Sequence, residues 1–241
     1  MSKIALITGA NKGIGLETAR QLAQLGITVI VGSRDAAKGE AAAAELQSEG
    51  LKAESVVIDV ASTPSVEAAA RSIAEKHGKL DILINNAGVA LDFGVSALEV
   101  SEDAVHDTFE TNFFGPFRVT RAFLPLLRKA GDARVVNLTS VLGSIFLASD
   151  PAHPEYSTFK GMAYQTSKAA LNMLTVAFSN ELKAEGIKVN AAHPGWVKTD
   201  MGGAGAMLEI ADGATTSVRL ATLGADGPTG GYFHNAETLP W

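Results

Sequence analysis

"IALITGANKGIGLETARQLAQLGITVIVGSRD", residues 4–35, decides how the chain folds. A continuous run of apolar and β-branched residues ends at a turn carrying Gly9, Gly13 and Gly15, a stretch of helical period follows from about Ile14, and a second continuous run, "ITVIVGS", closes the unit. Strand runs with no polar alternation have no wet face, the mark of a parallel sheet covered by helices on both sides. The alternation continues outward from this unit. "AESVVID", "LDILINN", "ARVVNLTS", "IKVNAAHPG" and "GGYFHN" read as further strands, separated by alanine-rich helical stretches such as "AAKGEAAAAELQSEG" and "TPSVEAAARSIAEKHG". The long helical region after Ser101 is expected to bend or divide at Pro116.

Seven strands with right-handed crossovers predict an α/β, Rossmann-type single domain over residues 1–241: a doubly wound seven-stranded parallel sheet flanked by helices on both faces. A chain of 241 residues, 46% of them hydrophobic, is long enough for one well-buried core. Its net charge of -6 and the lack of any Lys/Arg-rich block argue against nucleic acid as a partner. Zero cysteines exclude disulfides, cysteine nucleophiles and thiolate metal sites. The apolar start "KIALIT" is far too short to span a membrane and runs straight into the glycine turn, so a soluble, cytoplasmic protein is expected.

The glycine turn suits a dinucleotide: tight backbone, no side chains in the way of a pyrophosphate, and a helix amino terminus with its free N–H groups and positive dipole end. The second strand ends in "VGSRD", where the adenosine ribose of such a cofactor arrives. An acidic residue there would bind a free 2′-hydroxyl, whereas arginine accommodates a 2′-phosphate. Ser33 takes the acidic position and Arg34 follows, with Lys12 in the glycine turn, which selects NADPH/NADP+ over NADH. Asp35 partly offsets this positive field.

"EYSTFKGMAYQTSKAAL", residues 155–171, contains Tyr-x-x-x-Lys twice, as Tyr156 to Lys160 and as Tyr164 to Lys168. The spacing brings the two side chains together only on a helix. Prolines 151 and 154 precede the first copy and Gly161 follows it, so any helix there is short. Tyr164 instead opens a long apolar-periodic stretch (Leu171, Leu174, Phe178, Leu182), which makes it the catalytic candidate and leaves Tyr156 as a loop residue at the pocket mouth.

These stretches together resemble the short-chain dehydrogenase/reductase family over essentially the whole chain: "TGANKGIG", Asp59-Val60, "NNAG" at 85–88, Asn112, Ser140, "YQTSKAAL" and "HPGWVKTDM". The glycine turn, "PGWVKTDM" and "GPTGGYF" are most similar to its NADPH-dependent monomeric carbonyl reductase branch. The resemblance implies a catalytic set of Asn112, Ser140, Tyr164 and Lys168, with Asn112 holding a water that passes protons to Lys168. The competing reading of Asn112 is a polar group satisfying broken-helix backbone beside Pro116. For the cofactor it implies contacts from Gly9, Asn11, Lys12, Gly13, Ile14 and Gly15, from Ser33 and Arg34, and from Asp59 and Val60 around the adenine. Asn86, Ala87 and Gly88, with Tyr164 and Lys168, then lie against it. Pro194, Gly195, Val197 and Thr199 reach the nicotinamide end, Thr199 holding its carboxamide.

Hydride addition to a carbonyl carbon builds an alkoxide that must be protonated as it forms. Tyr164 is the expected donor, with Lys168 and the oxidised cofactor's positive ring lowering a phenol pKa that is otherwise about 10. Ser140 is expected to hold the same oxygen, since strand alternation turns Thr139 away. The expected activity is reduction of a ketone or aldehyde to an alcohol. An NAD-dependent alcohol dehydrogenase is disfavoured by Ser33, and a catalytically silent dinucleotide sensor by the presence of Ser140, Tyr164 and Lys168 together. Pocket candidates Leu91, Phe93, Leu142, Phe146, Met162, Trp196 and Met201 are mostly apolar, so a hydrophobic carbonyl substrate is expected. Met201, Met207 and Leu208 read either as an adaptable lid or as core, "EAAAAEL" as a solvated helix, and His193 as structural rather than a metal ligand.

The connection from Ser140 to Tyr164 carries added material, roughly "ASDPAHPEYST". It is expected to fold over the start of the tyrosine helix, wall one side of the pocket and cover the helical face through which many family members pair. A monomer follows from that; an outward-pointing loop would leave a dimer or tetramer possible.

Overall fold

A computed structural model of the chain describes residues 2–241. Seven parallel strands form the sheet: β1 (Ile4–Thr8), β2 (Thr28–Ser33), β3 (Ala53–Val57), β4 (Ile82–Asn85), β5 (Arg134–Leu138), β6 (Lys188–Ala192) and β7 (Tyr232–His234), in the order β3-β2-β1-β4-β5-β6-β7. A two-residue strand, β8 (Glu237–Thr238), adds antiparallel to β7 at the edge. The sequence predicts seven strands and misses this eighth. Two exposed polar residues show no periodicity, and the pairing depends on a reversal at Asn235, whose φ of 51° lies in the left-handed region.

The continuous apolar runs divide their side chains between two cores. Ala5, Ile7, Ile82, Ile84, Val136 and Leu138 face one; Ile4, Leu6, Leu83 and Val135 face the other. That split is the two-residue period of a strand expressed against two apolar surfaces. Helices α1 (Gly13–Gln24) and α2 (Ala36–Ser48) close the first core, and α3 (Thr63–His77) closes the second. The run "EAAAAEL" is only half solvated: Ala42, Ala43 and Leu46 are buried, while Glu45 pairs with Arg20 of α1. α3 begins where the Ser62 hydroxyl accepts the Ser65 N–H and ends at left-handed Gly78, as its sequence dictates.

After Ser101, which caps α4 (Glu102–Phe109), the helix widens into a π-helical turn over Glu110–Phe114 and resumes as α5 (Gly115–Ala130). The break thus falls in the turn just before Pro116, whose missing N–H removes a donor that a continuous helix would direct back into that turn. Phe123 of α5 is fully buried in the second core, a burial contributing about 1.5–3 kcal/mol. Two short helices, α6 (Ile145–Ser149) and α7 (Pro154–Ser157), lead to α8 (Met162–Leu182), and α9 (Ile210–Ala221) covers the first core. Strand order reverses between β1 and β4. Their carboxyl ends therefore open a crevice at the switch point, where doubly wound sheets bind ligands.

Candidate active site

The glycine turn leaves β1 at this crevice. Gly9 and Gly13 have φ of 63° and 58°, which side chains adopt only with strain. A Cβ on Gly15 would lie 2.5 Å from the Asn86 amide nitrogen and 2.8 Å from the Gly9 carbonyl, so the turn closes only with glycine there. Asn86 fastens the turn by donating to the carbonyls of Thr8 (2.8 Å) and Gly9 (3.1 Å), while the Thr8 hydroxyl accepts the N–H groups of Asn86 and Ala87. No side chain caps α1, whose amino terminus follows the turn. A cleft of about 330 Å³ is lined by Asn11 and Lys12 of the turn and by Lys38 and Glu45 of α2. Arg34 is exposed, with no ion pair among the described residues, and Ser33 beneath it is buried. Asp35 accepts the Lys38 N–H (3.1 Å) as the cap of α2, so its carboxylate is engaged with that helix. Lys38 is the cation here that the sequence reading missed; only the turn of α2 places it beside Lys12. Asp59 accepts the Ala61 N–H, and Val60 is buried where a Cβ on Gly115 would meet it at 3.0 Å. Opposite the glycine turn, Thr199 lies nearest to Gly13, and Asp200 pairs with Lys12 at 2.5 Å between exposed groups. Gly195, with φ of 84°, and Val197, bridged to Leu208, shape the segment after Pro194.

Tyr164 and Lys168 lie one turn apart on α8, both buried, with the Lys168 ammonium 5.6 Å from the phenol ring centre. Lys168 donates to the Leu138 carbonyl at the end of β5 (2.9 Å), two residues before Ser140. Ser140 opens a 3-10 turn, Val141–Gly143, where its hydroxyl accepts the Leu142 N–H and exerts a lowering effect on the Tyr164 phenol. Thr139 is not turned away as strand alternation predicts: past the end of β5 its hydroxyl also meets α8, donating to Asn172 (2.7 Å), one turn beyond Lys168, and is spent there. His193, following β6, uses its Nδ1 to accept the Val141 N–H (3.2 Å), which steadies the serine turn. Burial, with the neighbouring His234 adding, holds its pKa down at about 3, so the ring is neutral.

Asn112 lies in the π-helical turn with its side chain spent on other segments. It accepts the Val89 N–H (2.9 Å) and donates to the Val89 carbonyl (2.8 Å) and the Ser167 hydroxyl (3.0 Å). A Cβ on Gly88 would stand 3.3 Å from its oxygen and 3.5 Å from the Lys168 nitrogen. Gly88 is thus the gap through which Asn112 and Lys168 share one space.

The electrostatics differ from expectation in one respect. Burial pushes the Tyr164 phenol up to about 12, against the lowering effect of Ser140, and pushes Lys168 down to about 8. Lysine therefore loses its proton before tyrosine does, and in the protein alone the ammonium does not draw the phenol pKa below its usual value. Desolvation disfavours both charges more than their proximity favours them.

Phe93 meets Tyr164 edge-on at 5.0 Å and Phe159 at 5.2 Å. Leu142 is half-buried on the serine turn, Met162 half-buried in the first turn of α8, and Trp196 and Met201 are exposed on the segment after β6. With Leu91 and Phe146 they are carried on segments following β4, β5 and β6, and among these candidates only Phe93 is in ring contact with Tyr164. Met207 is exposed, whereas Leu208 packs under Gly195, so that group splits between surface and interior. Tyr156 sits half-buried on α7, confirming that helix there is brief. The insertion does abut the start of α8, through Phe159 on Phe93 and the Lys160 carbonyl, which accepts the Gly94 N–H (3.0 Å). It does not cover the groove between α5 and α8, whose lining (Phe117, Leu124, Arg128, Phe178, Glu185) comes from those helices and the turn after α8. The residues of α6 and α7 are held instead by the serine turn and the carboxyl terminus, where Phe146 donates to the Trp241 carbonyl. Two further residues escaped the sequence reading. Asp92 is buried against α8 and belongs to no motif or period, and Tyr232, though it lies in the "GGYFHN" strand, owes its stacking on Trp241 to the fold.

A parallel α/β sheet with a glycine turn at its switch point and a Ser-Tyr-Lys cluster beside it defines a dinucleotide-fold oxidoreductase. The sequence profile of the short chain dehydrogenases matches residues 3–206, and the chain belongs to that family. It is 40% identical over 228 residues to short-chain dehydrogenase anuI of Penicillium roqueforti, covering 92% of this chain and 89% of that one. It is 33% identical over 277 residues to human carbonyl reductase [NADPH] 1, covering 99% and 98%. Among solved structures, NADPH-bound carbonyl reductase from chicken fatty liver superposes with a TM-score of 0.87 at 30% identity, over 100% of this chain and 99% of the other.

Proposed function

We propose that this protein is an NADPH-dependent carbonyl reductase that converts a hydrophobic ketone or aldehyde to its alcohol. The observation that carries the reading is buried Tyr164 one turn from buried Lys168 on α8, with the turn that Ser140 opens packed against Lys168, at the crevice that the glycine turn enters. The residues fit a dinucleotide: an uncapped helix amino terminus behind left-handed glycines suits a pyrophosphate, and unpaired Arg34 with Lys12 and Lys38 suits a 2′-phosphate. The relatives named for NADPH support the same choice. When bound, the cofactor supplies the hydride.

The chain's own groups do the rest. Ser140 donates a hydrogen bond to the substrate carbonyl oxygen, polarising it. The Tyr164 hydroxyl gives its proton to the same oxygen as alkoxide character develops. Its raised pKa keeps it protonated at neutral pH, the form that a reductase needs. Lys168, charged below about pH 8, stabilises the phenolate left behind, and protons return along the space shared by Asn112, Gly88 and Lys168. Phe93 packs on the phenol and, with the apolar side chains after β5 and β6, excludes water from the reacting carbonyl.

The test is loss of NADPH absorbance with a panel of aryl and cyclic ketones. Tyr164→Phe should bind NADPH as the wild type does, read by its fluorescence, while turnover falls by about 10²–10⁴. Cofactor binding without turnover across the panel would instead mark a sensor, and preference for NADH would point to an alcohol dehydrogenase.

A further inference from the structure

The helix that carries Tyr164 has no cap of its own. Its N-cap residue is Gly161, preceded by Lys160, and no local side chain accepts from its first turn. Orphan amides at a buried helix end require an acceptor from elsewhere. Here it comes from Asp92, 71 residues away on the segment after β4. One carboxylate oxygen accepts the Ala163 N–H at 2.6 Å and the other accepts the Tyr164 N–H at 3.2 Å. The side chain is 1% exposed. A buried carboxylate binding two amides at the positive end of a 21-residue helix is favoured by both hydrogen bonding and the helix dipole.

The neighbours of Asp92 grip the same place. Phe93 lies edge-on to the Tyr164 ring, and the Gly94 N–H binds the Lys160 carbonyl, one residue before Gly161. Upstream on the same segment, Asn86 is tied to the glycine turn and Val89 is clamped by Asn112. One run, Asn86 to Gly94, therefore joins the glycine turn, the π-helical turn and the first turn of the tyrosine helix.

We propose that Asp92 is a positioning residue for the reaction: by capping α8 from outside it fixes the height and rotation of the turn that presents the Tyr164 hydroxyl beside Ser140. Tyr164 is only the third residue of its helix, in the region where uncapped helices fray. A displacement of about 1 Å at a reacting group can cost on the order of a hundredfold in rate, so the cap acts on proton delivery rather than on binding. The inference rests on Tyr164 being the proton donor.

Asp92→Ala removes both acceptors; Asp92→Asn keeps the shape and one acceptor oxygen. Steady-state turnover, NADPH affinity by fluorescence and the solvent deuterium isotope effect on kcat are measured well below the melting temperature of each variant. The expected order of kcat is wild type, then Asn, then Ala, with Ala reduced by roughly tenfold to a hundredfold. NADPH affinity should stay within about twofold of wild type, and the isotope effect should rise as proton delivery becomes more limiting. Wild-type kcat in whichever variant folds would overturn the proposal. So would a loss of NADPH affinity as large as the loss of kcat, which would make Asp92 a general packing residue. Tyr164→Phe is assayed alongside. If it still turns over, the assignment of the donor has failed; if it is dead while Asp92→Ala is fully active, only the role of Asp92 has.

Discussion

Arg34 and His193 show how single side chains acquire roles from what surrounds them. Arg34 stands exposed and without an ion pair at the end of β2, while the carboxylate of Asp35 caps α2 and lies 3.9 Å from the Lys38 ammonium, so its charge is directed at Lys38 and leaves Arg34 unpaired at the proposed ribose site. A charge-assisted contact to a 2′-phosphate contributes about 1.5–3 kcal/mol, so Arg34→Ala should weaken NADPH about tenfold to a hundredfold and leave NADH nearly unchanged, as titration of each cofactor by fluorescence would report. A wild type that already prefers NADH would remove this role. His193 is held neutral, with a pKa of about 3 against the usual 6.5. The unfolded chain therefore takes up a proton that the folded protein refuses, and stability declines as pH falls from about 6.5 towards 3, by at most roughly 1.4 kcal/mol per pH unit. His193→Asn, which keeps an acceptor for the Val141 N–H, should flatten the fall in thermal midpoint between pH 7 and pH 5. An unchanged slope would mean that other groups set the acid limit. Both residues were visible in the sequence as types; the pairing of Asp35 and the amide that His193 accepts were not.

Between elements, the proposed catalytic cluster depends on how closely the serine turn lies on α8. A Cβ on Gly143 would stand 2.8 Å from the Lys168 main-chain carbon and 2.9 Å from the Ala169 nitrogen. These neighbours are backbone and cannot swing aside. Gly143→Ala should lower stability by about 1–3 kcal/mol in a denaturant melt and reduce turnover, because the added methyl levers Ser140 away from Tyr164. A variant as stable and active as the wild type would show that the turn has slack. At this scale the sequence was partly legible. Helix α8 announces itself by a long apolar period and α3 by its caps, but the division of the helix after Ser101 was placed at Pro116 and falls instead in the π-helical turn at Glu110–Phe114. Proline is a local signal, whereas a π turn is held by tertiary contacts, here the Asn112 clamp on Val89 and the packing of Gly115 on Val60.

Across the whole molecule, exposed apolar side chains gather on segments following β4, β5 and β6, with Leu91, Phe93, Phe146, Trp196, Met201 and Met207 all at least 41% exposed. The groove between α5 and α8 is different: Arg128 and Glu185 are paired across it at 2.6 and 2.7 Å, and Arg121 and Glu181 line it beside Phe117 and Phe178. A second copy docking there would have to displace or bury charges already satisfied within the subunit, at a cost that a narrow apolar strip offsets poorly. Light scattering is therefore expected to give the 25.0 kDa mass of one chain. A mass near 50 kDa, about twice that value, would overturn this expectation.

By itself the sequence determined the parallel sheet, the glycine turn at its first strand, and which of two tyrosines heads a long helix. Each of these is a property of local order: continuous apolar runs, glycines where backbone must bend, and a helical period that only Tyr164 begins. The tertiary structure alone decided that the phenol is raised to about 12 and the lysine lowered to about 8, that Asn112 is a clamp, and that Asp92 caps the tyrosine helix. Burial and hydrogen bonds between residues far apart in the chain have no period and no motif, because they exist only once the sheet has brought the ends of its strands together.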